Sequence, residues 1–216
     1  MSWLADWVGY LPQMMSGLSV SLMIAAISIA AGYPFGLVLS LMVQAKNLAL
    51  RTIGLVIVEV GRGAPALVIL YLFYYGLPKF GLVLDNIPAA CLALSWNAAA
   101  YASEIIRAGM HSVSRGQHEA SVALGLSRRD TLFRVIIPQG MRSAVPGLMG
   151  IAIQLFQGTS LAYAIAVPEL MKSAYTIGSS NFNYLEIFIL AGICYAVISM
   201  PATWITVFFE KRMGRQ

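Results

Sequence analysis

The chain has 216 residues, of which 59% are hydrophobic and 11% charged, and its mean hydropathy is +0.76. Soluble domains carry about 25% charged residues, so this composition excludes an ordinary water-soluble domain. Three runs without Asp, Glu, Lys or Arg are each long enough to cross about 30 Å of hydrocarbon, at 7–45, 143–168 and 187–209. The sequence therefore predicts an integral membrane protein.

Five membrane-spanning helices are predicted in chain order, at about 17–43, 53–77, 87–109, 141–164 and 185–209. With the N-terminus outside and the C-terminus in the cytoplasm, twelve of the 14 basic residues lie on the inner side, and only Lys79 and Lys172 lie outside. This topology accounts for the net charge of +5 without a nucleic-acid partner. The start of the chain lacks the basic region of a secretory signal, so the first span is expected to be retained.

Small residues recur every four positions in the first span, at Ser28, Gly32, Gly36 and Ser40. On a helix they form one flat stripe that lets another backbone approach closely. We expect helix packing within the chain, with an interface between subunits as the alternative.

The third span carries Asn97, Tyr101 and Glu104 on one face. Arg107 lies one turn beyond Glu104, and Arg62 has the same spacing from Glu59 in the second span, so both are expected to form ion pairs near the inner surface. Polar groups at bilayer depth point into a bundle or a wet cavity. Neutralisation of charge and a gating role both remain open for these pairs.

The fourth span becomes polar near or beyond the membrane midplane, at Gln154, Gln157, Thr159 and Ser160. These amides and hydroxyls need partners, either neighbouring helices or a polar solute. Gly158 leaves space at the same level. We predict that these four residues, together with Asn97 and Tyr101, line the substrate pathway.

The long inner loop at 111–140 is predicted to hold two short helices with a turn between them. Ser114 and Gln117 have the spacing of a capping box, and Gly125 suits the left-handed position that ends a helix. Ser127 and Asp130 predict a second helix start, and Pro138 predicts a position where the helix breaks or restarts as the fourth span. Such a loop suits docking of another protein, while lying flat on lipid is the alternative.

This loop resembles that of the permease subunits of bacterial binding-protein-dependent ABC importers, in which Glu-Ala-Ala is followed by three residues, Gly, nine residues and Ile-x-Leu-Pro. The matching residues are Glu119, Ala120, Gly125 and Pro138, with Ser121, Val135 and Ile137 as conservative departures. Three further segments resemble the polar amino acid branch of that family, at 62–65, 100–107 and 159–170. The likeness covers nearly the whole chain.

The resemblance implies the type I ABC importer permease fold across residues 1–216, in a multi-pass protein of the bacterial cytoplasmic (inner) membrane. It implies two ATP-binding subunits, a second permease subunit (identical or a sister chain), an extracytoplasmic solute-binding protein and a lipid environment. Glu119, Ala120, Gly125 and Pro138 would couple the chain to the ATPase. The chain would carry no catalytic or metal-binding residues and no cofactor of its own, because ATP and Mg²⁺ would be held by the ATPase subunits.

The implied cargo is a polar amino acid. Gln157-Gly158 occupies the place where many relatives have Lys-Asp or Lys-Asn and the acidic amino acid group often has Gln-Asp. In this resemblance, Gln157 weakly favours glutamate or aspartate as the substrate. On the outer side, Lys79, Asp85, Glu169 and Lys172 are possible contacts for the binding protein, with solvated loop charges as the alternative.

Two other classes of membrane protein were considered. A metalloenzyme would need His111, His118 and Glu119 as ligands, but the last two are adjacent and point about 100° apart on a helix. An ion-coupled secondary transporter is often built from internal repeats, and no repeat is visible in these five spans. The secondary transporter remains the alternative function.

Overall fold

The structure, a computed structural model, describes the backbone of residues 3–213 and the side chains of residues 7–212. Within that part of the chain every regular element is helical. The α-helices are α1 (Trp3–Val43), α2 (Leu48–Gly63), α3 (Ala66–Tyr71), α4 (Asn86–His111), α5 (Arg115–Ala123), α6 (Arg128–Asp130), α7 (Ile137–Gly158), α8 (Leu170–Asn181) and α9 (Tyr184–Met213). π-Helical segments cover Leu72–Gly76 and Thr131–Ile136, and 3₁₀ segments cover Leu77–Phe80 and Thr159–Ile165.

α1 and α4 run in the same direction and pack backbone to backbone along the small-residue stripe. The Ser28 hydroxyl donates to the Cys91 carbonyl at 3.3 Å. A Cβ atom added at Gly32 would lie 2.8 Å from the Ser95 carbonyl oxygen, and one added at Gly36 would lie 2.9 Å from that of Ala99. The stripe is therefore a contact inside the chain, as expected, and the alternative of a subunit interface is wrong.

The second predicted span is wrong as a single straight helix, because the chain bends by 109° between α2 and the helix that follows. Pro65 has no N–H to continue the ladder of α2, whose last bond runs from Ala64 N to Val60 O. Gly54 lies beside Met42 near the end of α1, and Arg62 lies beside Glu104 near the end of α4. Both halves of α2 thus lie beside the C-terminal parts of α1 and α4, so α2 crosses the bundle.

Pro138 lies at the start of α7, so of the two predicted outcomes the helix restarts there and does not break. α6, the π-helical turn and α7 form one helical path, and Pro138 occupies the first turn of α7. Pro is tolerated there because a first-turn N–H has no partner inside an α-helix, and the π turn absorbs the change in register. The second short helix of the loop is therefore the start of the fourth span.

α1 begins at Trp3, fourteen residues before the predicted start, because its first turns pack against the last two helices. Met14 and Leu18 lie in a buried cluster with Leu170 and Ile177 of α8. Asn181 at the end of α8 also donates its amide to the Tyr10 hydroxyl at 2.7 Å. The predicted third and fifth spans correspond closely to α4 and α9.

Three helical stretches in the described part are long and apolar enough to cross a membrane: Trp7–Val43, Arg128–Ile165 and Tyr184–Arg212. The bent pair Leu48–Gly63 and Ala66–Phe80 would make a fourth. α4 does not qualify by composition, so a count of five spans stays a prediction.

Glu169 lies in the turn before α8, outside these stretches, and its side chain is 0% exposed. The carboxylate accepts the Met171 and Lys172 N–H groups at 2.8 and 2.7 Å, which caps α8. The Tyr195 hydroxyl donates to it at 3.1 Å and Ser21 at 3.4 Å. Glu169 thus ties α1, α8 and α9 together, and the interpretation of this residue as an exposed contact for a binding protein is wrong.

The close approach of α4 and α7 predicts how a single methyl group changes stability. A Cβ at Gly140 would lie 2.7 Å from the Met110 Cα, whereas Gly150 in the same helix has nothing within 4 Å. We expect Gly140→Ala to lower the free energy of unfolding by about 1–3 kcal/mol, as overpacking does. Gly150→Ala is the matched control and is expected to be neutral or slightly stabilising, because Ala favours a helix. Equal shifts in thermal unfolding of the two purified variants would contradict the packing described.

Burial of Glu169 predicts a pH dependence of stability. Burial raises the pKa of this carboxyl above its ordinary value of 4.5, against the lowering effect of the four hydrogen bonds. The folded state therefore holds the proton more tightly than the unfolded state. The contribution of Glu169 to the free energy of unfolding is fully present below about pH 4.5. It is lost as the pH rises through the folded-state pKa, with a slope of at most about 1.4 kcal/mol per pH unit.

Glu169→Gln should remove this part of the pH dependence in denaturant unfolding of the chain in micelles. Glu210→Gln, at an exposed position near the end of α9, is the matched control and should leave it in place. Identical pH profiles for Glu169→Gln and the unmodified chain would show that the carboxyl does not titrate differently on folding.

Candidate functional site

The inner loop folds around α5, a helix of nine residues in which Ser121 is the one buried side chain. Gly125 ends it with a left-handed φ of +70°, as predicted, where a side chain would be strained. Ser127 accepts the Asp130 N–H at 3.0 Å and starts α6, also as predicted. The predicted capping box at Ser114 is wrong, because that side chain makes no capping bond. Gln117 instead accepts a hydrogen bond from Gln139 at 3.2 Å.

α5 exposes apolar surface that the chain leaves uncovered. Val122 is 74% exposed and Leu124 is 79% exposed, and Glu119 and Ala120 are exposed on the same short helix. An isolated helix of nine residues is unstable in water, so α5 depends on packing against something else. This geometry suits insertion into a groove on another protein.

Three side chains of α4 hold the bend between α2 and α3 in place. The Asn97 amide donates to the Gly61 carbonyl at 2.8 Å, in place of the N–H that Pro65 lacks. The Tyr101 hydroxyl donates to the Arg62 carbonyl at 3.3 Å. The indole N–H of Trp96 donates to the Ile57 carbonyl at 3.2 Å. These α4 side chains therefore satisfy carbonyl groups along the last turns of α2.

An ion network lies next to this bend. Glu104 receives two hydrogen bonds from Arg107 one turn away, as predicted. The Nη1 atom of Arg62 lies 3.6 Å from the Glu104 carboxylate, and Arg62 also lies over the Tyr101 ring. The predicted Glu59–Arg62 pair is wrong, because Arg62 turns to Glu104 and Glu59 remains exposed. The network joins α2 to α4 and neutralises the carboxylate.

The polar residues at the end of α7 differ in exposure. Thr159 is buried and donates to the Phe156 carbonyl at 2.7 Å, and Ser160 donates to that of Gln157 at 2.8 Å. Gln154 and Gln157 are exposed, and in the described part of the chain their amides make no hydrogen bond. Two free amides on an otherwise apolar helix are available to a solute or to a neighbouring subunit.

The predicted site residues thus form separate groups. Gln139, which contacts α5, precedes Gln154 by about 22 Å along the helical path. Asn97 and Tyr101 are bonded to α2, and no hydrogen bond joins them to the α7 group within residues 7–212. Sequence reasoning missed Trp96 and the bend itself, although Pro65 carried the signal.

The chain was compared with known proteins. Residues 32–215 match the family described as the inner membrane component of binding-protein-dependent transport systems. The L-cystine transport system permease of Bacillus subtilis is 38% identical over 205 residues, which cover 94% of this chain and 88% of that protein. The glutamate/aspartate import permease of Escherichia coli is 34% identical over 218 residues, which cover 96% of this chain and 97% of that protein.

Among solved structures, that of an amino acid ABC transporter with histidines superposes with a TM-score of 0.89 at 32% identity. It covers 96% of this chain and 97% of that one. The chain therefore belongs to the binding-protein-dependent inner membrane components, among the amino-acid ABC transporter permeases.

Proposed function

We propose that this chain is the membrane-spanning subunit of an ATP-driven importer of polar amino acids in a bacterial cytoplasmic membrane. The observation that carries the proposal is α5, an exposed helix with uncovered Val122 and Leu124 that bears the family's loop residues. In the proposed complex, the α5 helix of each permease subunit lies in a groove on one ATP-binding subunit. The assembly holds two permease subunits and two ATPases, and it receives solute from an extracytoplasmic binding protein.

Coupling requires that α5 transmit force without deforming. Glu119 is exposed and offers a charge to the ATPase, whereas Gly125 permits the turn at φ +70°. Pro138 lies in the first turn of α7 and so joins the loop to a transmembrane helix. ATP and Mg²⁺ bind to the ATPase subunits, and this chain contributes positioning and movement.

The proposed topology places five spans with the N-terminus outside and the loop in the cytoplasm. α1 and α4 run in the same direction, as first and third spans must. α4 serves as a span despite its polar residues, because Asn97, Tyr101 and Glu104 all bond within the protein. The twelve inner basic residues support the orientation.

The proposed pathway runs along the end of α7, where Gln154 and Gln157 present free amides. At this level Thr159 and Ser160 donate hydrogen bonds to backbone carbonyl groups of their own helical segment. Asn97 and Tyr101 donate to carbonyl groups at the end of α2 and hold its bend in place. An amide pair can hydrogen-bond the carboxylate and amino groups of an amino acid. The proposed preference for glutamate or aspartate rests on Gln157 and on the relative named for those substrates. A relative of similar sequence identity is named for cystine.

Disruption of α5 should abolish transport and leave membrane insertion intact. The assay is amino acid uptake into proteoliposomes that hold the chain and the ATPase that co-purifies with it in mild detergent. We expect Glu119→Lys to reduce ATP-dependent uptake at least about tenfold, because the loss of one charged contact costs about that much. Gly125→Pro should have an effect at least as large, because proline cannot adopt the left-handed φ of +70° that ends α5. Glu210→Lys and Gly116→Ala are the matched controls, and both should transport normally.

Uptake should also persist when an uncoupler collapses ion gradients while ATP is maintained. Collapse of uptake under that condition would favour the ion-coupled secondary transporter. Normal transport by Glu119→Lys together with normal ATPase association would remove α5 from the mechanism.

Labelling should show whether the α7 amides face the pathway. In a background with Cys91→Ala and Cys194→Ala, we expect cysteines at Gln154 and Gln157 to react with a small polar thiol reagent at rates that change with ATP and solute. Leu155→Cys is the control, and its buried position should protect it in every state. Labelling of Gln154→Cys and Gln157→Cys that is equal in every state would assign these residues to helix packing.

A further inference from the structure

A cavity of about 510 Å³ lies between α5 and the ends of α1 and α4. Gln44, His111, His118 and Arg128 line it and are all exposed, whereas Met110 and Ile136 on the same wall are buried. Four polar side chains therefore lie at the opening together with the exposed Val122 of α5, and buried apolar groups form the floor. Ligand sites commonly have volumes of about 300–1,000 Å³ with this arrangement.

The cavity is positively charged. Its lining includes Arg128 and two histidines but no acidic residue. Asp130 is the acidic residue nearest to Arg128 along the chain. Its carboxylate accepts a hydrogen bond from the Ser127 hydroxyl at 2.6 Å and forms an ion pair with Arg134 at 3.1 Å. Among the described residues Arg128 has no salt-bridge partner, so its five N–H donors remain available.

The position of Arg128 is unfavourable for its own helix. It opens α6, and a cation at a helix N-terminus opposes the helix dipole. The charge therefore does not serve helix stability, and an anion in the cavity would offset this cost. The histidine rings and the Gln44 amide supply further N–H donors around the same space.

We propose that this cavity binds the phosphate headgroup of an anionic lipid, with Arg128 as the main contact and His118 as a second donor. Arg binds phosphate through paired N–H bonds, and basic pockets between helices on the cytoplasmic side of membrane proteins take anionic headgroups. Met110 and Ile136 contact the apolar part of the lipid next to the phosphate. The site lies beside α5, so an occupied cavity supports that helix against the ends of α1 and α4.

The test is native mass spectrometry of the full chain released from micelles that hold equal amounts of phosphatidylglycerol and phosphatidylcholine. The unmodified chain is expected to retain phosphatidylglycerol preferentially. Arg128→Gln should weaken that retention about tenfold, the effect of losing one charge-assisted hydrogen bond, and His118→Gln should weaken it less. Arg129→Gln removes the same charge from the neighbouring residue, which does not line the cavity, and should retain the lipid normally.

Equal loss in Arg128→Gln and Arg129→Gln would show a diffuse surface charge and overturn the proposal. Binding of inorganic phosphate that depends on Arg128, without preferential retention of phosphatidylglycerol, would support the phosphate site but overturn the lipid as its source. A chain without lipid preference whose Arg128→Gln variant loses ATPase association would make the cavity a protein contact instead. The measurement of lipid retention needs neither transport nor the ATPase, so absence of lipid preference would leave the proposed function intact.

Discussion

The structure depends on how closely α4 is packed against α1, α2 and α7. Small residues of α1 meet it along Ser28–Gly36, Gly61 of α2 fits against Ala100 and Trp96, and Gly140 of α7 fits against Met110. Each neighbour meets α4 at backbone distance because one partner at each crossing lacks a bulky side chain. α4 thus contacts three other helices over much of its surface, and Leu92 remains exposed on the remaining face. This explains why a helix with polar residues and too little apolar surface for a lipid-facing span lies at the centre of a membrane protein.

The bend after α2 follows from the same packing. Pro65 frees carbonyl groups at the end of α2, and a free carbonyl in an apolar environment is costly. α4 supplies the missing donors from Asn97 and Tyr101, and the charge of Arg62 is balanced by Glu104. Asn97 and Tyr101, which the sequence predicts to line the solute pathway, therefore also hold a bent helix in place, whereas Thr159 and Ser160 bond to carbonyl groups of their own helical segment. Gln154 and Gln157 differ because nothing in the described chain uses their amides.

Signals that act within a few residues were enough to predict much of the fold. The hydrophobic runs located α1, α4, α7 and α9, Gly125 fixed the turn after α5, and the small-residue stripe identified a close contact. The runs did not predict α8, and they predicted α2 and α3 as one straight span. The features missed were those decided by distant neighbours. Glu169 reads as a loop charge, yet Ser21 and Tyr195, far away in sequence, enclose it. The partner of Arg62 was likewise chosen by the approach of α4 rather than by spacing within α2. In the candidate site, the loop motif was enough to predict the position of α5. The exposure of the Gln154 and Gln157 amides could be seen only from how α7 packs against its neighbours.

Movement of α5 in the proposed mechanism would reach the solute pathway by a short mechanical route. α5 touches the start of the fourth span through Gln117 and Gln139, and from there a continuous helical path leads to Gln157. An α-helix resists compression along its axis because every turn is closed by hydrogen bonds. The π turn at Thr131–Ile136 lies just before Gln139, and Pro146 lies inside α7, where a proline removes one helix hydrogen bond. Displacement of α5 would therefore reach α7 directly through Gln117 and Gln139, and the helical path would bend most readily at the π turn and at Pro146.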